Sequence, residues 1–250
     1  MTDGELRIRP LRGLPEIREG DDLGALLVEA SAPTPGEIVV LSQKVVSKAE
    51  GRLRELSEVE PTPEAERLAE EVERDPRLVH LALEQSHGVI RAAPGVLITE
   101  TLGGWICANA GIDASNLEAD GWVALLPEDA DVSARRIRAE IRSATGASPG
   151  VVVADSFGRP WRLGQADVAI GCAGVIPIDD WRGREDASGR ELAATVIANA
   201  DQIAAAADLA RSKDSGEPGA VISGLERMVT EADGPGAAVL RRPEGEDLFR

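Results

Sequence analysis

The stretch VVVADSFGRPWRLGQADVAIGCAGV, residues 151–175, sets two apolar runs on either side of a polar, turn-rich centre. Short apolar runs bounded by turn signals are the pattern of buried strands, so residues 151–154 and 168–170 predict two of them. The first run stops at Asp155-Ser156, which leaves a carboxylate and a hydroxyl at a strand end. Asp155 then has two readings. It either caps the turn leading into Gly158-Arg159-Pro160, or it presents a hard oxygen ligand to a divalent cation.

Outward from this stretch the same strand pattern recurs at residues 38–41 (IVVL), 122–126 and 220–223, and residues 96–101 and 105–108 predict a hairpin turning at Gly103-Gly104. Helical spacing marks 64–74 and 76–86. It also marks 131–145, with Ser133 as a cap, Ile137 and Ile141 as an apolar edge and Gly146 as a stop. An alanine-rich segment, 191–211, predicts one long helix. Strands and helices mix without strict βαβ alternation or an internal repeat. That favours an α+β fold with mixed and antiparallel sheets, and no low-complexity linker divides residues 1–250.

Composition narrows the function classes. The chain has 250 residues, 43% hydrophobic and 28% charged, enough for a buried core. Its net charge of −17, from 44 acidic and 27 basic residues, would repel nucleic-acid phosphates and an anionic membrane surface. No apolar run approaches the roughly 20 residues of a membrane span. The opening MTDGELRIRP has no signal-peptide pattern, so a cytoplasmic location is expected. Cys107 and Cys172 read as buried core thiols. His80 and His87, seven apart on an expected helix, have no third ligand to make a zinc site. The common phosphate loop, the GxGxxG fingerprint, HExxH and GxSxG are all absent.

Three further stretches carry chemistry. WICANAGIDASN, residues 105–116, packs Asn109, Gly111, Asp113, Ser115 and Asn116 behind an apolar run. Asp113 and Asp155 could meet in one cleft and supply oxygen ligands for Mg²⁺ or Mn²⁺. DDWRGREDASGRELAAT, residues 179–195, adds Arg182, Arg184 and Arg190 to Arg159 and Arg162. These suit carboxylate or phosphate oxygens, or else pair with Asp179, Asp180, Glu185 and Asp186 as solvated bridges. LSQKVVSKAEGR, residues 41–52, sets Ser42, Gln43, Lys44 and Lys48 after a strand, where a lysine can reach a phosphate. For Lys44 an amphipathic surface segment is the favoured reading.

Taken together, GLPEIREGDDL from Gly13, SQKVVSKAEGR from Ser42, NAGIDASN from Asn109, DSFGRPWRLGQADVAIGCAGV from Asp155 and DWRGREDASGRELAAT from Asp180 resemble the coenzyme F420:L-glutamate ligase (F420-0:gamma-glutamyl ligase) family. The resemblance is in family order over nearly the whole chain. It implies GTP-dependent addition of L-glutamate to the terminal carboxylate of the deazaflavin coenzyme F420-0, with two divalent metals (Mg²⁺ or Mn²⁺), K⁺ and an intertwined α+β homodimer. Carried over by position, Leu14, Pro15, Glu16, Ile17, Ser42, Gln43, Lys48 and Asn116 would hold GTP, joined by Ser212, Lys213 and Gly216 of the ARSKDSGEP loop. Ser212 stands where the family usually has glycine. Asp113, Asp155 and Ser156 would hold metal. Asp155, Lys48 and Arg159 would act in catalysis, and Arg162, Arg182 and Arg184 would hold the anionic substrate. The flavin-binding domain fused in some relatives is not expected here. Two other readings stay open: a metal-dependent GTP or phosphoester hydrolase using the same Asp113/Asp155 pair, and a non-catalytic deazaflavin-binding protein with no metal requirement.

Overall fold

The apolar runs at 38–41 and 151–154 have no polar face, so they need cover on both sides, and the fold supplies it. The structure is a computed structural model that describes residues 5–115, 117, 120–212 and 214–247. Along the chain, β1 (Arg7–Pro10) precedes α1 (Leu23–Ser31), β2 (Ile38–Ser42) and α2 (Gln43–Ala49). Then follow β3 (Leu53–Glu55), α3 (Pro63–Val72), α4 (Pro76–Glu84), β4 (Ser86–Ala93), β5 (Val96–Thr101), β6 (Ile106–Ala108) and β7 (Trp122–Ala124). The second half holds α5 (Ala130–Thr145), β8 (Gly150–Arg159), β9 (Arg162–Ala173), β10 (Asp179–Asp180), β11 (Val196–Ile197), α6 (Asn199–Asp208) and β12 (Gly219–Ser223).

The main sheet has the order β1-β12-β2-β8-β9, with β2 and β8 parallel and the other pairs antiparallel. Successive side chains of a strand face opposite ways. Accordingly Val39, Leu41, Val151 and Val153 pack under α1, α2 and α5, whereas Ile38, Val40, Val152 and Ala154 pack against α6. Burying each large aliphatic side chain contributes about 1.5–3 kcal/mol, which makes this doubly covered sheet the rigid part of the molecule. Gly171 of β9 is where α5 rests: a Cβ there would lie 2.2 Å from the Ala130 carbonyl. A bulge at Ile170 shifts the β8–β9 register, and the Asp201 carboxylate of α6 accepts the Ala169 N–H at 3.0 Å. Burial raises the Asp201 pKa.

Residues 53–125 hold a smaller unit beside this sheet: the antiparallel β4-β5-β6 sheet, the β3-β7 pair, α3 and α4. The mixed and antiparallel α+β reading therefore stands. Helices α3 and α4 begin at Pro63 and Pro76 behind the caps Thr62 and Asp75, as proline at a first helical position predicts.

Several local expectations change. Strand β8 does not stop at Ala154 but runs to Arg159, so Asp155 and Ser156 lie within it, paired with Val168 and Asp167, and not at a strand end. The cap of α5 is Asp129, which accepts from the N–H groups of Asp131 and Val132, while Ser133 sits inside the helix and donates to Glu50. The long helix over 191–211 shrinks to Asn199–Asp208, because Val196 and Ile197 pair with Asp180 and Asp179 to close a charged arm. The strand over 122–126 ends at Ala124. His80 lies on α4 but His87 on β4, so the two do not share a helix face.

Candidate active site

The carboxyl ends of β1, β2 and the apolar part of β8 finish at one edge of the main sheet, where β12 begins. Loops leaving such an edge are where open sheets of this kind place their ligands. Here Leu14, Pro15, Glu16 and Ile17 follow β1, Ser42 ends β2, Asp155 and Ser156 continue β8, and the turn containing Ser212 and Gly216 leads into β12. The smaller unit closes the opposite wall with Asn109, Gly111, Asp113 and Ser115. Together they line one open cleft of about 670 Å³. Segments from five distant parts of the sequence thus meet in one place.

On the wall of the smaller unit the backbone is left-handed at three successive residues, Asn109 (φ 51°), Ala110 (φ 53°) and Gly111 (φ 70°). Left-handed backbone costs a non-glycine residue about 1–2 kcal/mol, and such strain clusters where a structure must aim a group. A Cβ on Gly111 would also strike Leu126 at 2.6 Å. The turn delivers Asp113, whose own N–H and C=O are both bonded to Ala124. The Asp113 carboxylate accepts the Ser115 N–H at 2.7 Å and pairs with the Lys44 ammonium at 2.8 Å. Burial alone would raise its pKa, but those two partners outweigh burial and hold it below the usual carboxylate range.

Lys44 is therefore not a surface residue. Its side chain is 12% exposed and lines the cleft, one helical turn from Lys48, which is 10% exposed and bonded to Glu16. Spacing of four residues places both on one face of α2. The amphipathic pattern located that face correctly, but the cleft, not solvent, covers it.

The opposite wall is regular strand. Asp155 lies close enough to Cys107 for its charge to act on the thiol, which burial and then that charge push up to about 12. The Ser156 hydroxyl donates to Asp167 at 2.6 Å, and Asp167 in turn is paired with Arg211 at 2.6 Å. Sequence reading missed Asp167 and Arg211. The signal available was a polar residue between apolar ones in LGQADVAIG, which a surface strand produces equally well.

Other site residues fall elsewhere. The Gln43 side chain lies inside the protein, accepting from Ser47 at 2.9 Å. Arg159 bonds to the carbonyls of Leu163 and Gly164 at the tip of the β8–β9 hairpin, with Arg162 directly across from it. Arg182 pairs with Asp180, and Arg184 pairs with Asp179 and stacks on Trp181, all on the charged arm. None of these arginines lines the cleft of the single chain. Asn116 and Lys213 lie outside the described residues.

Among the described residues, seven carboxylates line the cleft (Glu16, Asp113, Asp155, Asp167, Asp208, Asp214 and Glu217) against three basic side chains, Lys44, Lys48 and Arg211. Among the described residues no three His, Cys, Asp or Glu side chains close on one point. Mg²⁺ commonly takes one or two carboxylates and completes its shell with water and phosphate oxygens. Asp113, Asp155 and Ser156 supply hard oxygen donors of that kind.

A doubly covered sheet with acids, lysines and an arginine gathered at one edge is the cleft of an enzyme that handles charged small molecules without a phosphate loop. A family model described as F420-0:Gamma-glutamyl ligase matches residues 13–224. Proteins named coenzyme F420:L-glutamate ligase are similar over almost the full length. That of Methanopyrus kandleri is 42% identical, covering 98% of each chain, and that of Methanothermobacter thermautotrophicus is 40% identical, covering 96% of this chain and 97% of its own. The one from Haloarcula marismortui is 41% identical over 98% of this chain and 96% of its own. The chain belongs to the F420-0:gamma-glutamyl ligase family, and is thus an enzyme of the carboxylate–amine ligase class.

Proposed function

We propose that the chain joins L-glutamate to the terminal carboxylate of coenzyme F420-0, using GTP. The observation that carries this reading is the cleft itself. It gathers Glu16, Ser42, Lys48, Asp113, Asp155 and Ser156 from separate segments, in a family whose relatives are named coenzyme F420:L-glutamate ligase.

A carboxylate resists attack by an amine, so it must first be activated. In the proposed reaction it takes the γ-phosphoryl group of GTP, giving an acyl phosphate and GDP. The glutamate amine then attacks the acyl carbon, loses a proton and expels phosphate. Seven carboxylates facing a triphosphate would repel it, so the reading includes divalent cations held by Asp113, Asp155 and Ser156. When bound they would neutralise phosphate charge and align donor with acceptor. K⁺ is proposed as a further counter-ion. Lys44 and Lys48 stand within the cleft to contact phosphate oxygens, and the chain's main task is positioning. Trp161 and Leu163, 78% and 97% exposed at the hairpin tip, support a homodimer in which the hairpin and the charged arm meet a second copy. That arrangement would let Arg159, Arg162, Arg182 and Arg184 serve the partner's cleft.

Incubating the chain with F420-0, GTP, Mn²⁺ and L-glutamate tests the reading by mass spectrometry. The deazaflavin should gain glutamyl mass, with GDP and phosphate formed in step. GTP breakdown with unchanged deazaflavin mass would replace the ligase by a phosphohydrolase.

A further inference from the structure

Beneath the cleft, Asp167 and Arg211 form an ion pair with side chains only 4% and 8% exposed. Buried pairs of this kind give up hydration that their mutual attraction barely repays, so they contribute little to stability by themselves. The Arg211 Nε is buried with no hydrogen-bond partner among the described residues, a further unfavourable feature. The pair nevertheless sits at one particular place. Asp167 lies directly across the β8–β9 ladder from Ser156, and its Oδ1 accepts the Ser156 hydroxyl at 2.6 Å, while Oδ2 receives Arg211.

A serine hydroxyl carries one proton and two lone pairs. It can serve a cation only through a lone pair, with the proton turned away, and nothing within serine itself dictates that orientation. We infer that Asp167, balanced and held by Arg211, is a positioning residue that accepts the Ser156 hydroxyl hydrogen bond and so turns the Ser156 oxygen's lone pairs toward the divalent cation. This rests on the proposed metal-binding role of Ser156. Arg211 has two functions in the arrangement. It fixes the direction of the Asp167 carboxylate, and it cancels a charge that would otherwise draw the cation away from Ser156 toward the floor. Loss of partners that orient a metal ligand typically weakens metal binding about 10- to 100-fold.

The test is Mn²⁺ titration of the full chain, followed by the Mn²⁺ electron paramagnetic resonance signal, first alone and then with GTP. Removing only one charge would strand the other, so Asp167→Leu is made together with Arg211→Met, a replacement that leaves the net charge unchanged. Asp208, 3.5 Å from Arg211, loses its partner too, and Arg211→Met alone serves as the control for that loss. The double variant should bind Mn²⁺ about 10- to 100-fold more weakly, to the level of Ser156→Ala. Adding Ser156→Ala to it should weaken binding no further, because both changes remove one interaction. Losses that multiply in the triple variant, or wild-type affinity in the Leu/Met variant, would overturn the inference. Asp167→Asn with Arg211→Gln keeps an acceptor oxygen in place and guards against a folding failure. It should stay within about 3-fold of wild type (a difference below ~1 kcal/mol), and a tenfold loss would show that charge, not proton orientation, is what matters. If the wild-type chain binds no Mn²⁺ in either condition, the metal reading itself fails and this inference with it. Mn²⁺ binding that is equal in wild type and variants removes the inference alone.

Discussion

Asp155 and Asp113 face one cleft but are held there by opposite means. Asp155 continues a strand whose preceding residues, Val151, Val152, Val153 and Ala154, are buried on both faces of the main sheet. Its position follows from burial of the core. Asp113 follows three left-handed residues and is locked by two backbone bonds to Ala124 and an ion pair to Lys44. Its position follows from local geometry that the backbone alone would not choose. One wall can thus be disturbed only by disturbing the core, whereas the other can be loosened while the core stays folded.

The largest test of that contrast compares two glycines. Gly171→Ala on the core side drives a Cβ into the Ala130 backbone, and backbone cannot turn aside. Loss of at least ~3 kcal/mol, or of the folded state, is expected. Gly111→Ala meets only the Leu126 side chain but must also hold a positive φ. A loss of about 2 kcal/mol is expected there, with protease sensitivity rising near Asp113 and not in the sheet. Equal destabilisation measured by urea unfolding would erase the distinction between the walls.

Next in size is Asp155→Asn, which keeps the shape and removes a charge. Metal-dependent GTP turnover should fall about 100-fold or more (roughly 2.7 kcal/mol of barrier) with the melting temperature unchanged. Full activity in a folded variant would take Asp155 out of the site.

The two lysines span both walls of the cleft's contacts, Lys44 pairing with Asp113 and Lys48 with Glu16. The sequence reading expects only Lys48→Met to matter, but both lysines line the cleft in the folded chain. Each variant should weaken GTP binding roughly 10- to 100-fold by calorimetry, the loss of a charge-assisted contact worth about 1.5–3 kcal/mol. A neutral Lys44→Met would return Lys44 to a purely structural partner of Asp113.

The smallest effect is in acid. The folded chain holds the Asp113 pKa below its ordinary value of 3.8, so below that pH the unfolded chain binds the proton more readily. The resulting stability is complete above about pH 4 and is lost as pH falls through the folded value. Melting curves from pH 6 down to pH 3 should therefore fall less steeply for Asp113→Asn than for wild type. A steeper acid limb in the variant would contradict the ion pair.

Much of the fold is legible wherever burial is two-sided. IVVL and VVVA must be central strands because no polar face is available to solvent, and Pro63 and Pro76 mark helix starts through their fixed φ. The arm containing Asp180 and Arg182 was not legible. Its short strands carry no apolar alternation, and the alanine-rich composition that follows argued for a helix reaching back to Glu191. Three residues that line the cleft, Asp113, Asp155 and Ser156, were legible as candidates, since they follow apolar runs.

By itself, then, the sequence determined the central strands, the helix starts and the resemblance that names the family, because those signals are local or linear. Only the tertiary structure decided that Lys44 faces the cleft, that Gln43 does not, and that Asp167 and Arg211 lie beneath Ser156. An amphipathic or alternating pattern says which residues share a face. What covers that face, solvent, core or ligand cleft, depends on segments distant in the chain that only the folded packing brings together.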